Sequence, residues 1–156
     1  MKSYKELFKG VENTLRSQSK LTLADFDSRI GKFKNYAGRL LSDNEYFDIL
    51  IKVVFYSGFK AETVTDRLEI IKRHFPLYNV VANYDNARID EIINDIDMIS
   101  HEKKIKACVE NAKVLQTIIN EYGSFKKYVD SFKAAESFEN LILFKEEIGY
   151  KFEYLV

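Results

Sequence analysis

The chain has 156 residues, enough to bury a sizeable core, and the reading is of one domain spanning 1–156. Hydrophobic residues make up 46% and charged residues 31%, which excludes a disordered chain. With 24 basic and 24 acidic side chains the formal net charge is zero, so bulk charge excludes strong non-specific binding to a polyanion. A nucleic-acid surface would have to gather its basic groups on one face.

Cys108 is the single cysteine, which rules out an intramolecular disulfide and fits a reducing compartment. Cys108, His74 and His101 together cannot assemble the usual Cys/His zinc site, so no metal and no cofactor is expected. The first thirty residues hold no signal-peptide core, and apolar runs such as Val53–Tyr56 are far too short to span a bilayer. These features predict a soluble cytoplasmic protein with no membrane partner.

In chain order, Tyr4, Leu7, Phe8, Val11 and Leu15 fall on one face of a first helix. Thr22 can cap a second, with Phe26, Ile30, Phe33, Ala37 and Leu40 inward. Ser42 and Glu45 have capping-box spacing and open a more uniformly apolar helix, expected to be largely buried and to end near Gly58. Glycine accepts the positive φ of a sharp turn there. The next helix carries Val64, Leu68, Ile71 and Phe75 on one side and stops at Pro76. Asp85 opens a short helix bearing Ile89, Ile92, Ile93 and Ile96. Ser100 is placed to cap a long one, with Ile105, Cys108, Val109, Ala112, Leu115 and Ile119 inward and Gly123 at its C-terminal end. Two more helices start near Ser124 and Ser137, the second ending at Gly149. No alternating run predicts a strand. The pattern predicts an all-α domain of seven to eight helices.

Three segments, in order, carry a resemblance. "YFDILIKVVFYSGFKAETVTDRLEIIKRHF" resembles the helix–glycine–helix core of the DNA-3-methyladenine glycosylase I family, which belongs to the helix-hairpin-helix base-excision glycosylases. Gly58 and Phe59 match the family's Ala-Gly-Leu/Phe turn, and Val64 begins the matching second helix. "MISHEKKIKACVENAKVL" is similar to its Ile-Ile-Arg-(His/Asn)-x-x-Lys-Ile segment followed by Asn-Ala, through Ile99, His101, Lys104, Ile105, Asn111 and Ala112. "GSFKKYVDSF" and "GYKF" fit later positions. The likeness runs from about 45 to 152.

The resemblance implies a glycosylase-like fold and excision of alkylated purines such as 3-methyladenine from double-stranded DNA. It implies a base pocket near Phe55 and Tyr56, since aromatic faces can sandwich a flipped base; both are equally at home in an apolar core. Lys52, alone in an apolar helix, either points into that pocket or snorkels to the surface. His101, Lys103, Lys104 and Lys106 are the DNA-contacting candidates, Lys113 joining them on the same helix. The competing reading is a solvated lysine face, which Glu102 and Glu110 support, with His101 bonded to backbone at the helix start.

Asp95 and Asp97 read as a helix-end loop rather than catalytic carboxylates, and no catalytic residue is assigned. The family's acidic pocket residue falls at Val53, and its tryptophan after the glycine turn at Ala61. The family's hairpin would follow "GYKF", whereas this chain reads as shortened at Val156. Weak DNA binding and impaired excision are therefore expected. The apolar segment of Tyr150, Phe152, Tyr154 and Leu155 is expected to be disordered or covered by a partner chain, as in a dimer. The alternative is a non-catalytic helical remnant or interaction module.

Overall fold

The computed structural model describes residues 4–18, 22, 24–27, 40–134 and 136–154, and all regular structure among them is helical. This is the all-α architecture that the periodicity predicts. The chain divides into two compact units, Met1–Leu40 and Leu41–Val156.

In the first unit, α1 spans Tyr4–Gln18. A helical turn at 24–27 is capped by Thr22, whose hydroxyl accepts from the Asp25 amide at 3.2 Å. Phe26 is buried beneath the Arg16 guanidinium, 4.9 Å from the ring centroid. Arg16 also pairs with Glu12 and Asp27, so this small unit is tied by one cation with both apolar and ionic partners. Ile30, Phe33 and Ala37 lie outside the described residues. Leu40 is not inward as expected but 76% exposed.

The second unit is built around one long helix. Its elements are α2 (Asp43–Tyr56), α3 (Ala61–His74), α4 (Tyr78–Val81), α5 (Asn86–Asn94), α6 (Glu102–Tyr122), α7 (Phe125–Ser131) and α8 (Phe138–Lys151). The 21 residues of α6 rise about 30 Å, and α2, α4, α5 and α7 all pack on it. Ile105, Cys108, Val109, Ala112, Leu115 and Ile118 on α6 are sealed against Leu50, Ile51 and Val54 of α2, Val81 of α4 and Ile92 of α5 within one core cluster.

Local chemistry sets the helix ends. Ser42 and Glu45 form a full capping box, the Glu45 carboxylate accepting from the Ser42 amide at 2.8 Å. Asp85, Ser124 and Ser137 each cap the helix that follows. Gly123 closes α6 with φ 82°.

Several expectations are corrected. α2 is buried on one face only, leaving Ile49 and Val53 each 39% exposed. Ile96 lies beyond α5 and is 94% exposed, because the Asp95 carboxylate accepts from the Asp97 amide at 2.9 Å and turns the chain out of the helix. Ser100 does not cap α6; its hydroxyl donates back to the Ile93 carbonyl, and His101 is the cap. α8 runs to Lys151, past Gly149. The four-residue α4, with Val81 and Ala82 in the core, is too short for periodicity to show.

The aromatic richness is explained at α7. Phe125 meets Tyr46, Tyr128 and Phe152 at ring-centroid distances of 5.0, 5.8 and 5.8 Å. Tyr128 meets Tyr122 and Phe132, and Phe132 meets Phe144 of α8. The Phe125 amide donates to the Asp43 carboxylate at 2.8 Å, joining the first turns of α7 and α2.

Gly58 follows the end of α2 at φ 79°, and a Cβ there would meet nothing within 4 Å. Its requirement is therefore backbone conformation, not space. Gly58→Ala should cost about 1–2 kcal/mol, the penalty of a left-handed L-residue, and lower the melting temperature by roughly 2–8 °C. Gly58→Asn should cost less, since Asn tolerates that region better. Equal melting temperatures for all three proteins in a thermal scan would contradict the argument.

Candidate functional site

The corner between α2 and α3 brings together residues from three stretches of sequence. α2 ends without a basic residue in its last turn, so its C-terminal carbonyls carry uncompensated partial negative charge. Lys104, from the first turn of α6, supplies the missing cation. Its ammonium donates to the Val54 carbonyl and, at 2.7 Å, to the Ser57 carbonyl. The ring centroids of Tyr154 and Phe59 lie 4.2 and 5.4 Å from the same nitrogen. Lys104 is 4% exposed. Burial pulls its pKa below the ordinary lysine value and pushes that of the buried Cys108 thiol up, each opposing the other's shift. Two carbonyls, the negative end of α2 and two ring faces all favour the ammonium over the amine.

Lys104 therefore does not share the solvent face of α6 with Lys103 and Lys106, which corrects its grouping with them as a DNA-contacting candidate. Lys103 and Lys106 are exposed, and Lys106 and Lys113 pair with Glu102 and Glu110 on their own helix. His101 caps α6: its Nδ1 accepts from the Lys104 amide at 3.3 Å, and its ring stands edge-on to Phe59 at 5.7 Å.

The predicted base-pocket residues separate. Phe55 is fully buried against Phe75 at 6.2 Å and presents no face to a ligand. Tyr56 is half-buried, its hydroxyl 2.9 Å from the Thr65 hydroxyl on α3. Lys52 pairs with Asp48 one turn earlier on the half-exposed side of α2.

Asn111 stands out in the sequence only as a position that matches the family pattern. It is 1% exposed, and its amide brackets Glu153: the side-chain nitrogen donates to the Glu153 carbonyl at 3.1 Å and the oxygen accepts the Glu153 amide at 2.8 Å. Phe152 is buried on Phe125, and Tyr154, at φ 65°, turns its ring over Lys104. The expectation of a disordered or partner-covered terminal segment is thus corrected for Phe152 and Tyr154, which pack on their own chain. Tyr150 is 88% exposed, and Leu155 lies outside the described residues. A groove of about 670 Å³ runs beside this segment, lined by Glu110, Val114 and Tyr150 among others.

A second polar cluster has no signal in the sequence. His74, 7% exposed at the end of α3, lies 2.6 Å through Nε2 from the Asp95 carboxylate and 3.3 Å through Nδ1 from an Arg88 guanidinium nitrogen. An arginine can only donate, so Nδ1 is the acceptor and Nε2 carries the proton given to Asp95. Tyr84 donates to the His74 carbonyl at 2.8 Å, and Arg73 reaches Asp95 at 3.5 Å. This cluster joins α3, α5 and the loop after α5. Among the described residues no group of His, Cys, Asp and Glu is arranged to hold a metal ion, and no helix is long and apolar enough to cross a membrane.

The Asp97 amide first, then His74, holds the Asp95 carboxyl below the usual aspartate range. A depressed folded pKa means that the unfolded chain binds the proton more readily. Asp95's stabilisation is then complete above the ordinary value near about 4 and fades as pH falls through the lower folded value. The melting-temperature gap between wild type and Asp95→Asn should be widest at neutral pH and close below about pH 4. A gap that widens on acidification would contradict the assignment.

A family model for methyladenine glycosylases matches residues 26–152. Two structures of 3-methyladenine DNA glycosylase I from Staphylococcus aureus are similar at 25% identity. One is a glutamate-to-glutamine mutant, with TM-score 0.56 over 60% of this chain and 51% of that one. The other, described as the structural basis of 3-methyladenine recognition, has TM-score 0.55 over 60% and 50%. A tyrosine-to-phenylalanine variant of 3-methyladenine DNA glycosylase I in complex with 3-methyladenine shares the fold at 20% identity, with TM-score 0.63 over 74% of this chain and 72% of that one. The chain spans about half the length of the Staphylococcus aureus structures that it matches. Across most of its length, from 26 to 152, the chain belongs to the methyladenine glycosylase family.

Proposed function

We propose that this chain extrudes N3-alkylated adenine from duplex DNA and releases it by hydrolysis of the N-glycosidic bond. The observation that carries this reading is the family match, which takes in the whole helical frame from α2 to α8. Tyr56 is the ring assigned to stack on the base, being half-buried with its hydroxyl tied to Thr65, while Phe55 supports it from the core. Lys103 and Lys106 are assigned to backbone phosphates, and His101 to holding the start of α6 beside them.

The chemistry asks little of the protein beyond recognition. A 3-methyladenine still joined to deoxyribose carries positive charge. When its bond to C1′ breaks, the electron pair stays on the base, which departs neutral. Water forms the new C–O bond at C1′ and loses a proton to solvent. No group need protonate the leaving base, so the apolar Val53 is compatible with this reaction. Val53 also favours a second reading, a module that binds damaged DNA without hydrolysing it.

The test is release of free base from dimethyl-sulfate-treated duplex DNA, read by chromatography and mass spectrometry against a protein-free blank. Release of 3-methyladenine above the blank is expected. Binding without release would support the second reading, and neither would overturn both. With duplex binding measured alongside by titration at several salt concentrations, Lys103→Ala combined with Lys106→Ala should lower the salt slope of log K by about two, roughly one for each phosphate left unneutralised. An unchanged slope would return these lysines to a solvated face.

A further inference from the structure

We infer that Lys104 is a positioning residue for base recognition: reaching from α6 to the carbonyls on either side of Tyr56, it holds that ring in its stacking orientation. The inference rests on the reading of Tyr56 given above.

The geometry is specific. The Val54 carbonyl lies two residues before Tyr56 and the Ser57 carbonyl one residue after it, and the same ammonium takes both. The backbone carrying Tyr56 is thereby gripped from both sides, just where α2 has ended and Gly58 is about to reverse the chain. At its other end, Tyr56 is tied through its hydroxyl to Thr65 on α3. Ring orientation is therefore set by two anchors on two different helices.

Lys104 is itself fixed in turn. Its amide is held by His101 at the start of α6, and its ammonium lies against Tyr154 and Phe59. Asn111 clamps Glu153, so Tyr154 cannot drift from the ammonium without breaking a pair of hydrogen bonds to the backbone. The grip on Tyr56 thus runs back through the middle of α6, the helix at the centre of the unit. Apolar burial alone would not achieve this, because carbonyl oxygens at a helix end need donors and the last turn of α2 has no cation of its own.

The test compares wild type, Lys104→Met, Tyr56→Leu and the double variant, with circular dichroism and melting curves establishing that each folds. Two quantities are read: the dissociation constant for free 3-methyladenine by calorimetry, and the single-turnover release rate from methylated duplex. Lys104→Met and Tyr56→Leu should each weaken base binding by about tenfold, and the double variant should be no weaker than the poorer single, since both act through one ring. A role confined to stability would leave base binding by the folded variant unchanged, and a role independent of Tyr56 would make the two losses multiply. Either result overturns the inference and leaves the proposed function standing. Failure of wild type both to bind and to release 3-methyladenine overturns both. If Lys104→Met does not fold, Lys104→Gln, uncharged and one atom too short to reach both carbonyls, takes its place under the same criteria.

Discussion

Enclosure of α6 is the constraint on which the second unit depends. One helix is covered by α2, α4, α5 and α7, so almost any side chain pointing inward from it meets packed protein rather than water. Burying apolar surface at about 25 cal/mol per Å² makes such a helix the main source of cohesion, and any polar group on its inner faces must then find partners. Two such groups occur, Lys104 and Asn111, and both are fully engaged. Among the described residues, no buried side-chain nitrogen or oxygen lacks a hydrogen bond.

These two residues divide the work of attaching other segments to α6. Lys104 answers the electrostatic problem at the end of α2, a row of carbonyls with no local cation. Asn111 answers a backbone problem: the turn that follows α8 leaves the Glu153 amide and carbonyl without helical partners, so a side-chain amide pairs with both. Each device is directional, whereas apolar burial is not. The core therefore holds the helices together, while the ammonium and the amide decide where the α2 corner and the 152–154 segment lie on it.

The same logic governs the His74 cluster. Asp95 accepts from the Asp97 amide and the imidazole, and Arg88 closes the other ring nitrogen, so a buried histidine is satisfied at both nitrogens. This cluster anchors the loop leading into α6, at the opposite end of α3 from the Gly58 corner. The frame of this chain is thus stabilised by polar devices at its joints, while Tyr56 packs partly on the core with its hydroxyl on Thr65 and Val53 stays 39% exposed beside it.

Helical period, capping boxes and glycine positions were legible in the sequence, because they depend on neighbours within four residues. Ser42 with Glu45, Asp85, Gly58 and Gly123 all behave as local chemistry dictates. The family, too, was legible from the ordered motifs. Part of the site was legible in principle: Lys104 lies four residues before Cys108 and eight before Ala112, on the buried stripe, while Lys103 and Lys106 fall off it. A lysine on an apolar stripe predicts a buried stem, but neither that the ammonium is buried nor which carbonyls it meets, since Val54 and Ser57 are 50 and 47 residues away. The pairing of His74 with Asp95 and of Asn111 with Glu153 likewise belongs to tertiary structure alone, spanning 21 and 42 residues. So does the difference between Phe55, sealed in the core, and its neighbour Tyr56: adjacent helix positions diverge by about 100°, and only the packing of α3 and α6 decides which of the two faces water.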